Sequence, residues 1–97
     1  MTRQDHLMIR AMEECAELAQ RISKALVFGL EEVQPGQDQT NEQRIYSEYY
    51  DLRAVLGMMG IDAWDMSERA RIAEREKVEK VERYLAYSKE VGRLHDS

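Results

Sequence analysis

Two pairs of carboxylates in this 97-residue chain have the spacing and surroundings to hold a metal ion: Glu14 with Glu17, and Glu48 with Asp51. Each pair is spaced i, i+3, which on a helix sets the Cβ atoms about 5–6 Å apart on one face. Most of the 19 acidic residues need no special account, because charges on helices normally sit on solvated faces. These four differ in position. At about 100° per residue, Glu48 falls inside the apolar arc of its helix, between Val55 and Leu52, and Asp51 sits at the edge of that arc. Glu14 shares a line with Leu7, Ala11, Leu18 and Ala25, and Glu17 lies one step further out.

An ionised carboxylate buried without a partner costs several kcal/mol or takes up a proton. Two such pairs facing each other across a helix contact add mutual repulsion, and a divalent cation resolves both problems. No His or Cys shares these lines, so the donors are all oxygen. That donor set suits Mg²⁺ or Mn²⁺ and not zinc. The plainer account is that Glu14 and Glu17 pair with Arg10, Arg21 and Lys24 along one solvated helix. An ExxE pair alone is common on such surfaces; ExxE followed by ExxD, both leaning toward apolar arcs, is a narrower coincidence.

The elements that position these residues are helices. Met8, Met12, Cys15, Ala19, Ile22 and Leu26 recur in steps of 4, 3, 4, 3, 4 within residues 4–28, the period of a helix and not of a strand. The lone proline falls in VQPGQDQTN, which reads as a loop. A second helix follows, carrying Ile45, Tyr49, Leu52, Val55, Leu56 and Met59, with Thr40 or Asn41 as its N-cap and Gly60 at its end. After the linker GIDAWD, a long third helix places Val78, Val81, Tyr84, Leu85, Ser88 and Val91 on one face; its charged start leaves the first turn undefined. There is no internal repeat and no hairpin signal. The expected fold class is all-α, with three main helices in one domain spanning 1–97.

Composition narrows the functional classes. The chain is 43% hydrophobic and 34% charged, enough for a modest core that leaves apolar surface for self-association. Its net charge of −5 argues against a nucleic-acid polymer as partner, since that requires a basic face. No apolar run reaches membrane-spanning length, and the start, MTRQDHLMIR, lacks the apolar core of a secretion signal. Cys15, the single cysteine, reads as a small core residue, which fits a reducing cytoplasm.

Glu13-Glu14-Cys15-Ala16-Glu17-Leu18 resembles the EExxE motif of the MazG-like, all-α nucleoside triphosphate pyrophosphohydrolases. Glu48-Tyr49-Tyr50-Asp51-Leu52 resembles their ExxD motif and is followed, as in the family, by an apolar run (LRAVLGMM). The segment from Lys77 to Tyr84 is similar to the basic stretch beyond those motifs. The likeness covers nearly the whole chain, with one departure: thirty residues separate Glu17 from Glu48, more than in compact members, and the Pro-Gly loop carries the excess.

What the resemblance implies is hydrolysis of an NTP or dNTP to the monophosphate and pyrophosphate. Glu14, Glu17, Glu48 and Asp51 then carry two or more Mg²⁺ or Mn²⁺ ions, and Glu14 or Glu17 also orients or deprotonates the water. It further implies a homodimer or homotetramer that completes a helical bundle. The loop is similar to those of short, bacteriophage-borne members, which would place the protein in the host cytoplasm and favours dGTP or GTP as substrate.

Lys77, Lys80 and Tyr84 follow helical spacing on the third helix, with Arg83 alongside, and form a candidate phosphate clamp. Pairing with Glu74, Glu76 and Glu79 along a solvated helix is the ordinary alternative. Lys24, two turns beyond Glu17, is a further candidate. A base slot is expected from Phe28, Trp64 and the N-terminal part of the first helix; His6 and His95, near the termini, receive no role. A non-catalytic helical interaction module is the rival reading, but its stripe favours an apolar residue at position 48. A di-iron carboxylate bundle needs Glu-x-x-His motifs, and the chain has none.

Overall fold

The computed structural model describes residues 1–95. These form three α-helices, α1 (Arg3–Phe28), α2 (Asn41–Met58) and α3 (Glu68–Glu90), with no strand among the described residues. The all-α expectation therefore holds. Each helix starts where a side chain can satisfy the free N–H groups of the first turn. The Thr2 hydroxyl accepts from Asp5 N–H at 3.1 Å, and the Asp5 carboxylate accepts from Thr2 N–H at 2.9 Å. Thr40 and Gln43 repeat this reciprocal box on α2, which makes Thr40 and not Asn41 its N-cap. Ser67 caps α3. No helix among the described residues is long and apolar enough to cross a membrane.

Residues 1–64 form one compact unit and the chain from Asp65 onward a second. The first is an antiparallel hairpin of α1 and α2. Near one end Gln4 Nε2 donates to Met59 O at 3.3 Å; near the other, Asn41 Nδ2 donates to Gly29 O at 2.8 Å. The line of α1 that is withdrawn from water runs Leu7, Ala11, Glu14, Leu18, Ala25, and α2 meets it with Ile45, Glu48, Leu52, Val55 and Leu56 at least half-buried. Ala11 and Ala25 are the apolar residues fully buried here. Two alanines at the contact let the backbones approach closely, but they bury little apolar area, so this pair of helices has a thin core.

The loop between the helices is tied down at its base. Gly29 ends α1 at φ 97°, a conformation that favours glycine. Asn41, only 2% exposed, donates to Gly29 O and also to Glu32 Oε1 at 3.3 Å. Its backbone N–H donates to Glu32 O at 2.9 Å, and Glu42 N–H to Leu30 O at 3.0 Å. The return from α1 to α2 is thus a hydrogen-bonded clasp, with the Pro-Gly segment as its exposed tip.

The stripe of Met8, Met12, Cys15, Ala19, Ile22 and Leu26 is helical as its spacing predicts, yet it is not the line that meets α2. All six residues are exposed, Leu26 at 85%. The expectation that Cys15 is a core residue is corrected with it: the thiol is free and exposed. The reason is geometric. The stripe lies roughly 100° around α1 from the line through Leu7 and Ala11, and a single neighbouring helix covers one of the two. On α3 the apolar positions Val78, Val81, Tyr84, Leu85 and Val91 are likewise exposed.

Because the Asn41 side chain donates to Gly29 O and to Glu32 Oε1 from a nearly dry position, Asn41→Ala should cost about 1–3 kcal/mol. Urea denaturation followed by circular dichroism would measure this. A midpoint equal to wild type would mean that the clasp contributes nothing.

Candidate metal centre

The antiparallel pairing brings the middle of α1 against the middle of α2, and there three carboxylates converge. Glu14, Glu17 and Glu48 each place one oxygen within 4.8 Å of the others. Glu14 is 9% exposed, Glu48 is half-buried and Glu17 is exposed. The group therefore has a dry floor and a wet mouth. Glu14 Oε2 and Glu48 Oε2 are buried with no hydrogen-bond partner, an arrangement that folded proteins avoid unless another species completes it.

The electrostatic consequence falls on Glu48. Burial, and then the neighbouring carboxylates of Glu17 and Glu14, push its carboxyl up from 4.5 to about 7. A hard divalent cation relieves this crowding of carboxylates. The donors are oxygen only, they come from two helices, and two of their oxygens lack partners; this set fits Mg²⁺ or Mn²⁺.

Asp51, the fourth expected ligand, is exposed and stands outside the group of three. It lies one turn along α2 from Glu48, on the rim of a 560 Å³ cavity that opens beside the carboxylates. Leu7, Ile9, Ala54, Val55 and Met58 make the apolar wall of this cavity. Its polar lining is His6, Arg10, Glu13, Glu14 and Asp51, and Arg10 Nη1 pairs with Glu13 Oε2 at 3.1 Å. Glu14 belongs to both the cavity and the carboxylate group, so the two are continuous.

The expected base-slot residues divide. The N-terminal part of α1 does line the cavity, whereas Phe28 and Trp64 do not. The Phe28 ring faces Lys24 Nζ at 6.0 Å. Trp64 stacks on the Arg53 guanidinium, which also lies 5.1 Å from the Tyr49 ring and 5.9 Å from that of Tyr50. Those aromatic faces surround an arginine whose Nε is buried without a hydrogen-bond partner. His6, given no role from its place near the terminus, is a wall residue of the cavity. The signal for it was present: His6, Arg10 and Glu13 step by 4 and 3, keeping them on one side of α1. Lys77, Lys80, Arg83 and Tyr84 are all exposed on α3, where Lys80 Nζ sits 5.9 Å from the Tyr84 ring. Lys24 is half-buried.

The Glu48 shift makes a signed prediction. Its carboxyl binds a proton more tightly in the folded than in the unfolded chain. Stability from this group is therefore complete below pH 4.5 and is lost as pH rises through about 7. Without divalent ions the difference in melting midpoint between wild type and Glu48→Gln should shift in favour of the variant from pH 5 to pH 8. Millimolar Mg²⁺ or Mn²⁺ should raise the wild-type midpoint at pH 8 more than at pH 5, because the ion binds the ionised cluster. Parallel pH curves for the two proteins, or no metal shift at pH 8, would contradict the arrangement.

Comparison with known proteins adds no assignment to this geometry: no family model matches the chain, and neither the curated proteins nor the solved structures yielded a match.

Proposed function

We propose that the protein is a metal-dependent nucleoside triphosphate pyrophosphohydrolase, converting an NTP or dNTP and water to the monophosphate and pyrophosphate. The single observation that carries the reading is the convergence of Glu14, Glu17 and Glu48 from two helices, with two buried oxygens left without partners. Its companion is the resemblance of the EExxE and ExxD segments to MazG-like enzymes. In this reading Glu14, Glu17 and Glu48 hold Mg²⁺ or Mn²⁺, with Asp51 joining from the rim. Bound there, such ions neutralise phosphate oxygens and make water easier to deprotonate.

The chain's own residues do the rest. Glu14 or Glu17 orients the attacking water and takes its proton as the water oxygen bonds to the α-phosphorus. The bond from that phosphorus to the α–β bridging oxygen breaks, and pyrophosphate leaves. The cavity beside Glu14 accommodates the remainder of the nucleotide. Lys77, Lys80, Arg83 and Tyr84 of α3, with Lys24 of α1, are assigned to the phosphates on the strength of the sequence pattern. A guanine nucleotide is the favoured substrate on the same grounds.

Self-association to a dimer or tetramer is part of this reading, supported by the uncovered stripe on α1 and the apolar positions of α3. An interaction module without catalysis would use that stripe equally well. It leaves the three converging carboxylates without a purpose, and this favours the enzyme.

Two experiments bear on these statements. Incubated with Mg²⁺ or Mn²⁺ and a panel of NTPs and dNTPs, the protein should release pyrophosphate. Glu48→Gln and Asp51→Asn should each lower kcat/KM by at least roughly 100-fold, the upper range for loss of even an outer partner of a metal ligand, with helicity retained. Orthophosphate as the sole product, or full turnover in both variants, would refute the assignment. Separately, sedimentation velocity should find an oligomer that Ile22→Glu converts to monomer; a monomeric wild type would remove self-association from the reading.

A further inference from the structure

The hairpin of residues 1–64 has two flanks with different surfaces. The cavity takes up one of them, lined by His6, Arg10 and Glu14 of α1 and by Asp51, Ala54 and Met58 of α2. At about 100° per residue, the other flank of α1 carries Met8, Met12, Cys15, Ala19, Ile22 and Leu26, all exposed. The matching flank of α2 carries Glu42, Tyr46, Tyr49 and Arg53, and Trp64 lies against the Arg53 guanidinium. Met, Tyr, Trp and Arg gathered on one face is the composition of a protein interface core. An apolar surface of this kind is uncommon on a protein that stays monomeric.

The order of residues in the stripe says what covers it. Steps of 4, 3, 4, 3, 4 read the same in both directions. A two-fold axis at the level of Glu17 therefore exchanges Met8 with Leu26, Met12 with Ile22 and Cys15 with Ala19. Two copies of α1 laid antiparallel on this stripe set large side chains against large ones at the ends and small against small at the centre. That is the requirement of an isologous interface, in which residue i meets j and j meets i. The hairpin carries the same axis over to α2. Gln4 meets Met59 and Glu17 meets Glu48, so the axis crosses α2 between Ser47 and Glu48. There it exchanges Tyr46 with Tyr49 and Arg53 with Glu42. Arg53 is a cation held among rings, Glu42 is exposed, and neither has an ion-pair partner among the described residues. The register that matches the apolar stripe thus brings opposite charges together twice. An unrelated protein as occupant leaves both coincidences without a reason.

We propose that two copies of this chain pair back to back through this flank, α1 antiparallel to α1 and α2 antiparallel to α2, about a two-fold axis at the level of Glu17 and Ser47. The carboxylate group and cavity of each copy then open on opposite outer faces. The pairing rests on the self-association in the reading above and gives it a face and a register; it does not depend on catalysis.

Cross-linking tests the register. Ala19→Cys sets a second thiol opposite the partner's Cys15. Mild oxidation of the full chain, followed by a denaturing gel without reductant, should give a covalent dimer. The wild type should give none. In this register the two native thiols are offset by about 6 Å along the helices, in addition to the gap between them, which is beyond the span of a disulfide. Ala54→Cys, on the cavity flank, should not cross-link either. Charge reversal supplies a second measurement. Arg53→Glu alone, or Glu42→Arg alone, puts two like-charged pairs in each dimer and should raise the dimer Kd in sedimentation by at least about tenfold. An equimolar mixture of these two variants should recover the wild-type Kd, because every arginine again meets a glutamate across the axis.

A monomeric wild type would overturn this proposal and the self-association reading together. An oligomer in which Ala19→Cys fails to cross-link, or Ala54→Cys links equally well, would sink the face and register and leave self-association standing. A mixture as weak as its two components would remove the Arg53–Glu42 pairing. Intact cross-linking without pyrophosphate release would count against the hydrolase reading alone.

Discussion

Three carboxylates held within 4.8 Å of one another set the constraint on which the rest of the hairpin depends. Burial, and the carboxylates of Glu17 and Glu14 beside it, push the Glu48 carboxyl up to about 7. The helices nevertheless bring these side chains together instead of turning them to water. Glu14 is the most sheltered of the three, at 9% exposed.

The hairpin presents its carboxylates through economy of side-chain bulk. Ala11 and Ala25 bracket Glu14 along α1 at the contact with α2. Larger residues there would hold the helices further apart and separate the donors from the two elements. The same economy means that little apolar area is buried within residues 1–64. The reciprocal caps at Thr2 and Thr40, the Asn41 clasp and the Gln4 contact to Met59 O are correspondingly more significant to holding the two helices in register.

Much of this was legible from periodicity. Helix type, the loop at the lone proline and the position of Glu14 on the line of Leu7, Ala11, Leu18 and Ala25 all follow from a repeat of 3.6 residues. Which of two apolar lines on α1 would meet α2 did not follow, because Met8, Met12, Ile22 and Leu26 look more core-like than the alanines that are buried. Hydrophobicity ranks residues by transfer energy, whereas a close helix contact selects for small size. Cys15 was misplaced for that reason. Asp51 illustrates a second limit: a residue at the edge of an apolar arc is turned inward or outward by a few degrees of helix rotation, and here it is exposed. Trp64 was unreadable because its partner, Arg53, is charged and eleven positions earlier in the chain, a pairing that no periodic pattern announces.

The clasp at the base of the interhelical loop separates two things that loops usually couple. Glu32 and Leu30 are already bonded to the start of α2, and Gln34 Oε1 accepts from Arg44 Nη1 at 3.0 Å, so only the tip around Gly36 stands clear of the register of the helices. That tip is a tolerant graft point: a peptide epitope or a fluorescent domain inserted beside Gly36 would ride on the hairpin without altering how Glu48 meets Glu14.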